Sequence, residues 1–251
     1  VTSITLMGIV LLIVMMIAGG LQGIKAFLSV GFNLVMMFLI IRLLSMDFPF
    51  LWVTLIGAAV ILSMTIYLGV SDATVADASF ISAGLVALIL VILIIPVYQW
   101  AQVQGFGEEN TSELESMSLL IGMKFIHLSM ATAILSSLGA VGEAAVSVAS
   151  GLKKTQTAYT QLSDRQFFSV GMAVGRQMLS TALNTLFFGF FGGFLALFIW
   201  FLRLDYSFGQ LINNKIFVAE FLLILISILG VVLVIPLTVW VMMLKRRTKA
   251  Q

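Results

Sequence analysis

Apolar residues do not alternate with polar ones along this chain. They come in long blocks, and the polar residues collect in short gaps between them. A helix of about 20 mostly apolar residues crosses roughly 30 Å of hydrocarbon. The pattern predicts such spans at 4–18, 26–44, 50–68, 80–100, 119–138, 186–202 and 216–244. Gly19, Gly20 and Gly23 mark the first break, and Pro49 marks the second by fixing the start of a new helix. Asp72 and Asp77 lie in a polar link before the fourth span. Ser112 with Glu115, and Ser163 with Gln166, have the spacing of a capping box and predict helix starts. Pro96, Gly230 and Pro236 are expected bend points. The opening apolar run has no basic segment before it and no small-residue cleavage pattern, so it reads as a retained helix.

Composition sharpens this picture. Apolar residues make up 61% and charged residues 10%, against roughly 45–50% and about 25% in soluble domains. The expected fold is therefore all-α: a polytopic membrane bundle of about seven transmembrane helices, with residues 1–251 as one integral membrane domain. The chain has no cysteine and one histidine, His127. That excludes disulfides, thiolate metal sites and thiol nucleophiles, and argues against a His-cluster metal centre or a Ser/His/Asp triad. No Walker-type phosphate loop is present. Neither an enzyme nor a cofactor, a metal site or nucleic-acid binding is expected.

The net charge of +2 says little, because placement is what matters in a membrane protein. With the tail residues Lys245, Arg246, Arg247 and Lys249 taken as cytoplasmic, seven spans put the N-terminus outside. Lys25, Lys153, Lys154 and Arg165 then also fall inside, and only Arg42, Arg203 and Lys215 fall outside. The acidic stretch from Glu108 to Glu115 faces outward, as do Trp52, Tyr98, Trp100, Trp200 and Tyr206 in an interfacial belt.

The segment 139–185 breaks the apolar rule most strongly. Gly139, Glu143, Ser147 and Gly151 recur every four residues, with Gly142 beside them, and make a narrow small-residue face on a helix. Arg176, Ser180 and Asn184, with Gln177 and Thr181 alongside, form a polar stripe that Thr185, Gly189 and Gly193 continue as a small-residue packing surface. A lone charge at mid-membrane costs at least about 2.5–3.5 kcal/mol, so Glu143 and Arg176 are expected to face each other, a partner or water. Charge placement favours a polar hairpin on the cytoplasmic side, feeding the sixth span. Two readings stay open: the lining of an ion or solute pathway, or polar glue in a bundle that only scaffolds. His127, three residues after Lys124, suggests either a proton relay or an ordinary hydrogen-bonded histidine. Lys124 is expected to snorkel toward Glu220.

The runs LGAVGEAAVSVASGL and GRQMLSTALNTLFFGFFGG, the earlier GFGEE and the late IPLT, spread from Gly105 to Thr238, resemble the YibE/F family of bacterial multi-pass membrane proteins. In that pattern Asp stands where this chain has Glu143. GRD followed by GT stands where it has Gly175, Arg176, Gln177, then Ser180 and Thr181. The exchange to Glu143 keeps the charge, whereas Gln177 loses one. The resemblance implies a cytoplasmic-membrane permease of unspecified substrate. It also implies a possible pairing with a longer YibE-like subunit, which could supply the missing acid, beside the alternative of a homo-oligomer.

Overall fold

A computed structural model describes residues 2–103, 124–159 and 163–249, with side chains as far as Arg247. The described residues form eight helices and no strand: α1 (Ser3–Ser45), α2 (Phe50–Gly69), α3 (Ala73–Ala101), α4 (Phe125–Ala158), α5 (Asp164–Gly193), α6 (Leu195–Arg203), α7 (Phe208–Ile212) and α8 (Lys215–Lys249). Five of them are long and apolar enough to cross a membrane, or six if α5 and α6 count as one bent span.

Local sequence sets most of the helix ends. Pro49 sits at the N-cap of α2. Asp72 caps α3 by accepting from the Thr74 and Val75 amides, so the stretch read as a polar link is the first two turns of α3. Ser163 and Gln166 form the expected reciprocal capping box at the start of α5. The other expected box, Ser112 with Glu115, lies outside the described residues, as do the acidic stretch and the predicted start of the fifth span. Helices α3 and α8 continue through Pro96 and Pro236.

Helix α1 is not straight. Gly20 has φ 55 and ψ −134, a conformation open to glycine and costly for other residues. The bend there is sharp enough that a Cβ on Gly23 would overlap the Met15 carbonyl. Two arms result, one before and one after the bend. Only the second arm packs on the bundle: Gln22, Ser29 and Asn33 hydrogen-bond to Leu68, Met64 and Thr65 of the antiparallel α2. The first arm is apolar and exposed along its length.

Helix α4 is the centre of the molecule, in contact with α2, α3, α5 and α8. Its buried positions include Ala133, Ile134, Val141, Ala145, Val148, Ala149 and Leu152. The sequence reading ended a span at about Leu138 and gave 139–185 to a polar hairpin on the cytoplasmic side. The helix runs on unbroken to Ala158. Alanine, glycine and serine lower the hydropathy of this stretch, but their small size lets neighbouring helices approach closely. The chain folds back after Ala158 into α5, and both arms pack on α8.

Glycines on the other helices serve the same close packing. A Cβ on Gly230 of α8 would lie 2.6 Å from Val141 and 2.9 Å from Leu90, and one on Gly171 of α5 would lie 2.8 Å from Val239. Inside the core, the Ser82 and Thr238 hydroxyls hydrogen-bond across α3 and α8 at 2.8 Å. The expected sixth span is interrupted: α5 ends at Gly193 and α6 departs at 50°. Phe190, Phe194, Phe198, Phe217 and Phe221 stack at that corner and hold α6 against the start of α8.

Ion pairs gather at one end of the bundle. Lys153 of α4 lies 3.5 Å from Asp72, Lys245 of α8 lies 2.9 Å from Asp77 of α3, and Arg247 pairs with Asp164 at the start of α5. Arg246 stacks over the buried Phe167 ring, 5.2 Å from its centroid. At the opposite end, Trp52, Trp100 and Trp200 are exposed, but Tyr98 is buried among core side chains and does not belong to the belt.

Candidate functional site

Packing on three sides leaves one strip of α4 uncovered. Helices α3 and α8 cover its back, α2 one flank and α5 the other. Ser136, Gly139 and Glu143 stay exposed in front, with Ser147 half-buried below them. Glu143 borders two crevices. One, about 150 Å³, lies between α4 and α5 and is lined by Ser136, Glu143, Ser147, Met178, Thr181 and Thr185 among others. The second, about 260 Å³, lies between α4 and α2 and includes Thr65, Gly139, Gly142, Glu143 and Ser147. The carboxylate therefore stands on a ridge between two open clefts with hydroxyl groups on both sides.

Helix α5 extends the polar surface outward. Gly171 and Gly175 turn toward α8, where Val239 and Ile235 press on them, and Val174 presses on Gly151 of α4. The opposite side of α5 carries Arg176, Gln177, Ser180, Thr181, Asn184 and Thr185, all exposed. Thr181 and Thr185 donate back to the Gln177 and Thr181 carbonyls. Their oxygens remain able to accept at the crevice wall.

Of the residues singled out in the sequence, Glu143, Ser147, Thr181 and Thr185 thus meet at one crevice. Gln177, Ser180 and Asn184 are exposed on the outward face of α5 and do not line that crevice. Arg176 does not join them: it is five residues before Thr181, about 140° away around the helix, and no ion pair links it to Glu143. The expected pairing within the chain is absent. Among the packing glycines, a Cβ on Gly142 would lie 3.3 Å from Leu62 and one on Gly151 2.9 Å from Val174, whereas one on Gly139, Gly189 or Gly193 would meet none of the described residues. Sequence reasoning missed Ser136 and Thr65. Ser136 stands seven residues before Glu143, a two-turn spacing that would have placed it on the same face.

The weaker candidates resolve more simply. His127 stacks on Phe50 with ring centroids 4.2 Å apart, beside Lys124 and Asp47 at the tryptophan end of the bundle. Lys124 and Glu220 form no ion pair. Among the described residues no three metal-ligating side chains converge, so a cation entering the crevices would meet one carboxylate and several hydroxyl oxygens.

Long apolar helices around a core of small residues, with polar clefts opening on one face, define a multi-pass helical membrane protein. The family described as YibE/F-like protein matches residues 7–248, and the chain belongs to it. No match is found among curated proteins or among solved structures.

Proposed function

We propose that this chain is a subunit of a membrane transporter, and that its solute or ion passes along the two clefts at Glu143. The observation that carries this reading is the position of the carboxylate. A charge within the apolar layer is costly unless it meets water, a partner or a ligand, and Glu143 has open space lined by Ser147, Thr181 and Thr65 on both sides. A helix that served only to hold a bundle together would turn such a residue inward against a partner group. The membrane is the bacterial cytoplasmic membrane on this reading. The polypeptide crosses it seven times, α5 and α6 together forming one crossing and each arm of α1 another, with the C-terminus inside. The uncovered polar face calls for a further subunit, either a longer YibE-like protein or another copy of this chain.

The alternative, a membrane scaffold that transports nothing, draws support from Gly139, Gly189 and Gly193. These glycines leave room for a neighbouring helix that the described residues do not supply. The test compares metal and metabolite contents of cells with the protein, without it, and with Glu143→Gln. On the transport reading one solute shifts when the protein is lost, and Glu143→Gln reproduces that shift at normal protein levels. Contents unchanged by its loss would leave the scaffold as the better account.

A further inference from the structure

We infer that the polar face of α5 is a two-fold interface between two copies of this chain, in which Arg176 of each copy reaches Glu143 of the other. The inference rests on the membrane placement proposed above and not on transport through the clefts.

From Arg176 to Thr185 the outward face of α5 is polar and exposed, and none of the described helices packs on it. Its midline is formed by Ser180 and Asn184, with Arg176 on one flank and Thr181 on the other. Thr181 marks the flank next to α4, where Glu143 opens in the same outward direction. The exposed surface therefore carries its positive charge at one edge and its negative charge at the other.

A two-fold axis parallel to the helices brings such a surface against itself. When two parallel helices face each other, the left flank of one lies beside the right flank of its mate, as in the flanking charge pairs of parallel coiled coils. Packing α5 on α5 along Ser180 and Asn184 thus carries Arg176 of one copy to the Thr181 side of the other, in front of Glu143. The depths agree. The crevice puts Glu143 level with Thr181, and Arg176 lies five residues lower, about 7.5 Å along the axis. An arginine and a glutamate side chain together span that offset. Both charges then leave lipid at once, and each cleft gains its fourth wall from the partner copy. Within one chain the pair is out of reach, because Arg176 points away from α4.

A second copy is favoured over an unlike subunit by this self-complementarity: the face supplies both members of the pair, in the arrangement a two-fold axis requires. Small side chains at Ala173 and Ser180 on the midline allow close approach over this part of α5, before the exposed Phe191.

The absence of native cysteine makes the test direct. Asn184→Cys and Ser180→Cys, each in the full chain in native membranes, are oxidised and read as disulfide-linked dimers, with Ile92→Cys on the lipid-facing side of α3 as control. Both interface positions should cross-link and Ile92→Cys should not. Next, Glu143→Arg and Arg176→Glu are placed separately in Asn184→Cys chains with different tags. Each alone opposes like charges across the axis, and its cross-linking should fall about tenfold, the ratio expected for a loss of about 1.4 kcal/mol. Co-expressed, the two variants rebuild both charge pairs, and cross-linking should return only between unlike tags. No cross-linking at Asn184 and Ser180, linkage to a different protein, or co-expression giving no gain over the single variants would each overturn the inference. Transport lost in Glu143→Gln with no such linkage would leave the proposed function intact and remove only the dimer.

Discussion

A methyl group added at Gly175 would run into Ile235, whereas one added at Gly139 would meet nothing. The two glycines stand on the paired helices α5 and α4, in similar sequence settings, yet they should respond oppositely to substitution. Gly175→Val forces α5 off α8 and is expected to cost about 1–3 kcal/mol, as overpacking of a close helix contact does. Gly139→Ala should cost nothing and can gain up to about 1 kcal/mol of helix propensity. Thermal unfolding in mild detergent separates the two: a lowered midpoint for Gly175→Val only. A loss at Gly139 comparable to that at Gly175 would mean that a helix already lies on the α4 face. The spacing of four that joined Gly139, Glu143, Ser147 and Gly151 in the sequence identified a common face correctly. It could not say that Gly151 meets Val174 while Gly139 meets no side chain, because periodicity reports direction around a helix and not what stands opposite.

Helix ends were legible where a side chain acts on its own backbone. The Ser163 and Gln166 box at α5 was read from spacing alone. Asp72 is hidden as a cap because the polar residues after it read as a link, although an aspartate directly before a helical run is itself a start signal. Its carboxylate ties two elements together. The hydrogen bond from the Val75 amide, helped by the Lys153 charge and opposed by partial desolvation, holds it below the usual aspartate range. A carboxyl whose folded value is depressed contributes its stability above its unfolded value, and that contribution is lost as pH falls through the folded one. Asp72→Asn keeps an acceptor for the α3 amides but not the charge. It should lose the part of the acid dependence that the Asp72 charge contributes while staying close to wild type at low pH. Asp72→Ala removes the cap as well and should cost about 1 kcal/mol more, the usual worth of an N-cap. Unfolding midpoints measured from neutral pH down through the carboxylate range test both statements. Parallel curves for wild type and Asp72→Asn would deny Asp72 the role. That the helix continues past Leu138 was hidden for a different reason. Hydropathy ranks alanine, serine and glycine low, but burial in a tight bundle selects them for size, so the most enclosed part of α4 looked like the least apolar.

At the scale of the whole molecule, direction follows from the pairs that join helix ends. Asp72 with Lys153, Asp77 with Lys245, and Asp164 with Arg247 bring the starts of α3 and α5 to the ends of α4 and α8. The Gln22 side chain on Leu68 brings the Gly20 bend of α1 to this same end. The basic residues that the sequence assigned to one side therefore gather at one end through packing, independently of any charge rule. Placing that end in the cytoplasm puts Ser207 outside and Thr157 inside. With α5 and α6 taken as one crossing, the first arm of α1 decides between six crossings and seven. It runs from Ser3 to the bend, a length of about 25 Å at 1.5 Å per residue, and its exposed, uncharged surface suits lipid on every side. If it crosses, Thr5 lies outside with Ser207. If it lies along the inner surface, Thr5 stays inside with Thr157. Single cysteines at these three positions, probed on intact cells with a membrane-impermeant thiol reagent, give the answer. The expected result is labelling at Ser207→Cys and Thr5→Cys and none at Thr157→Cys until the membrane is permeabilised. Labelling of Ser207→Cys alone would reduce the crossings to six while keeping the bundle's orientation, and labelling of Thr157→Cys in intact cells would invert it.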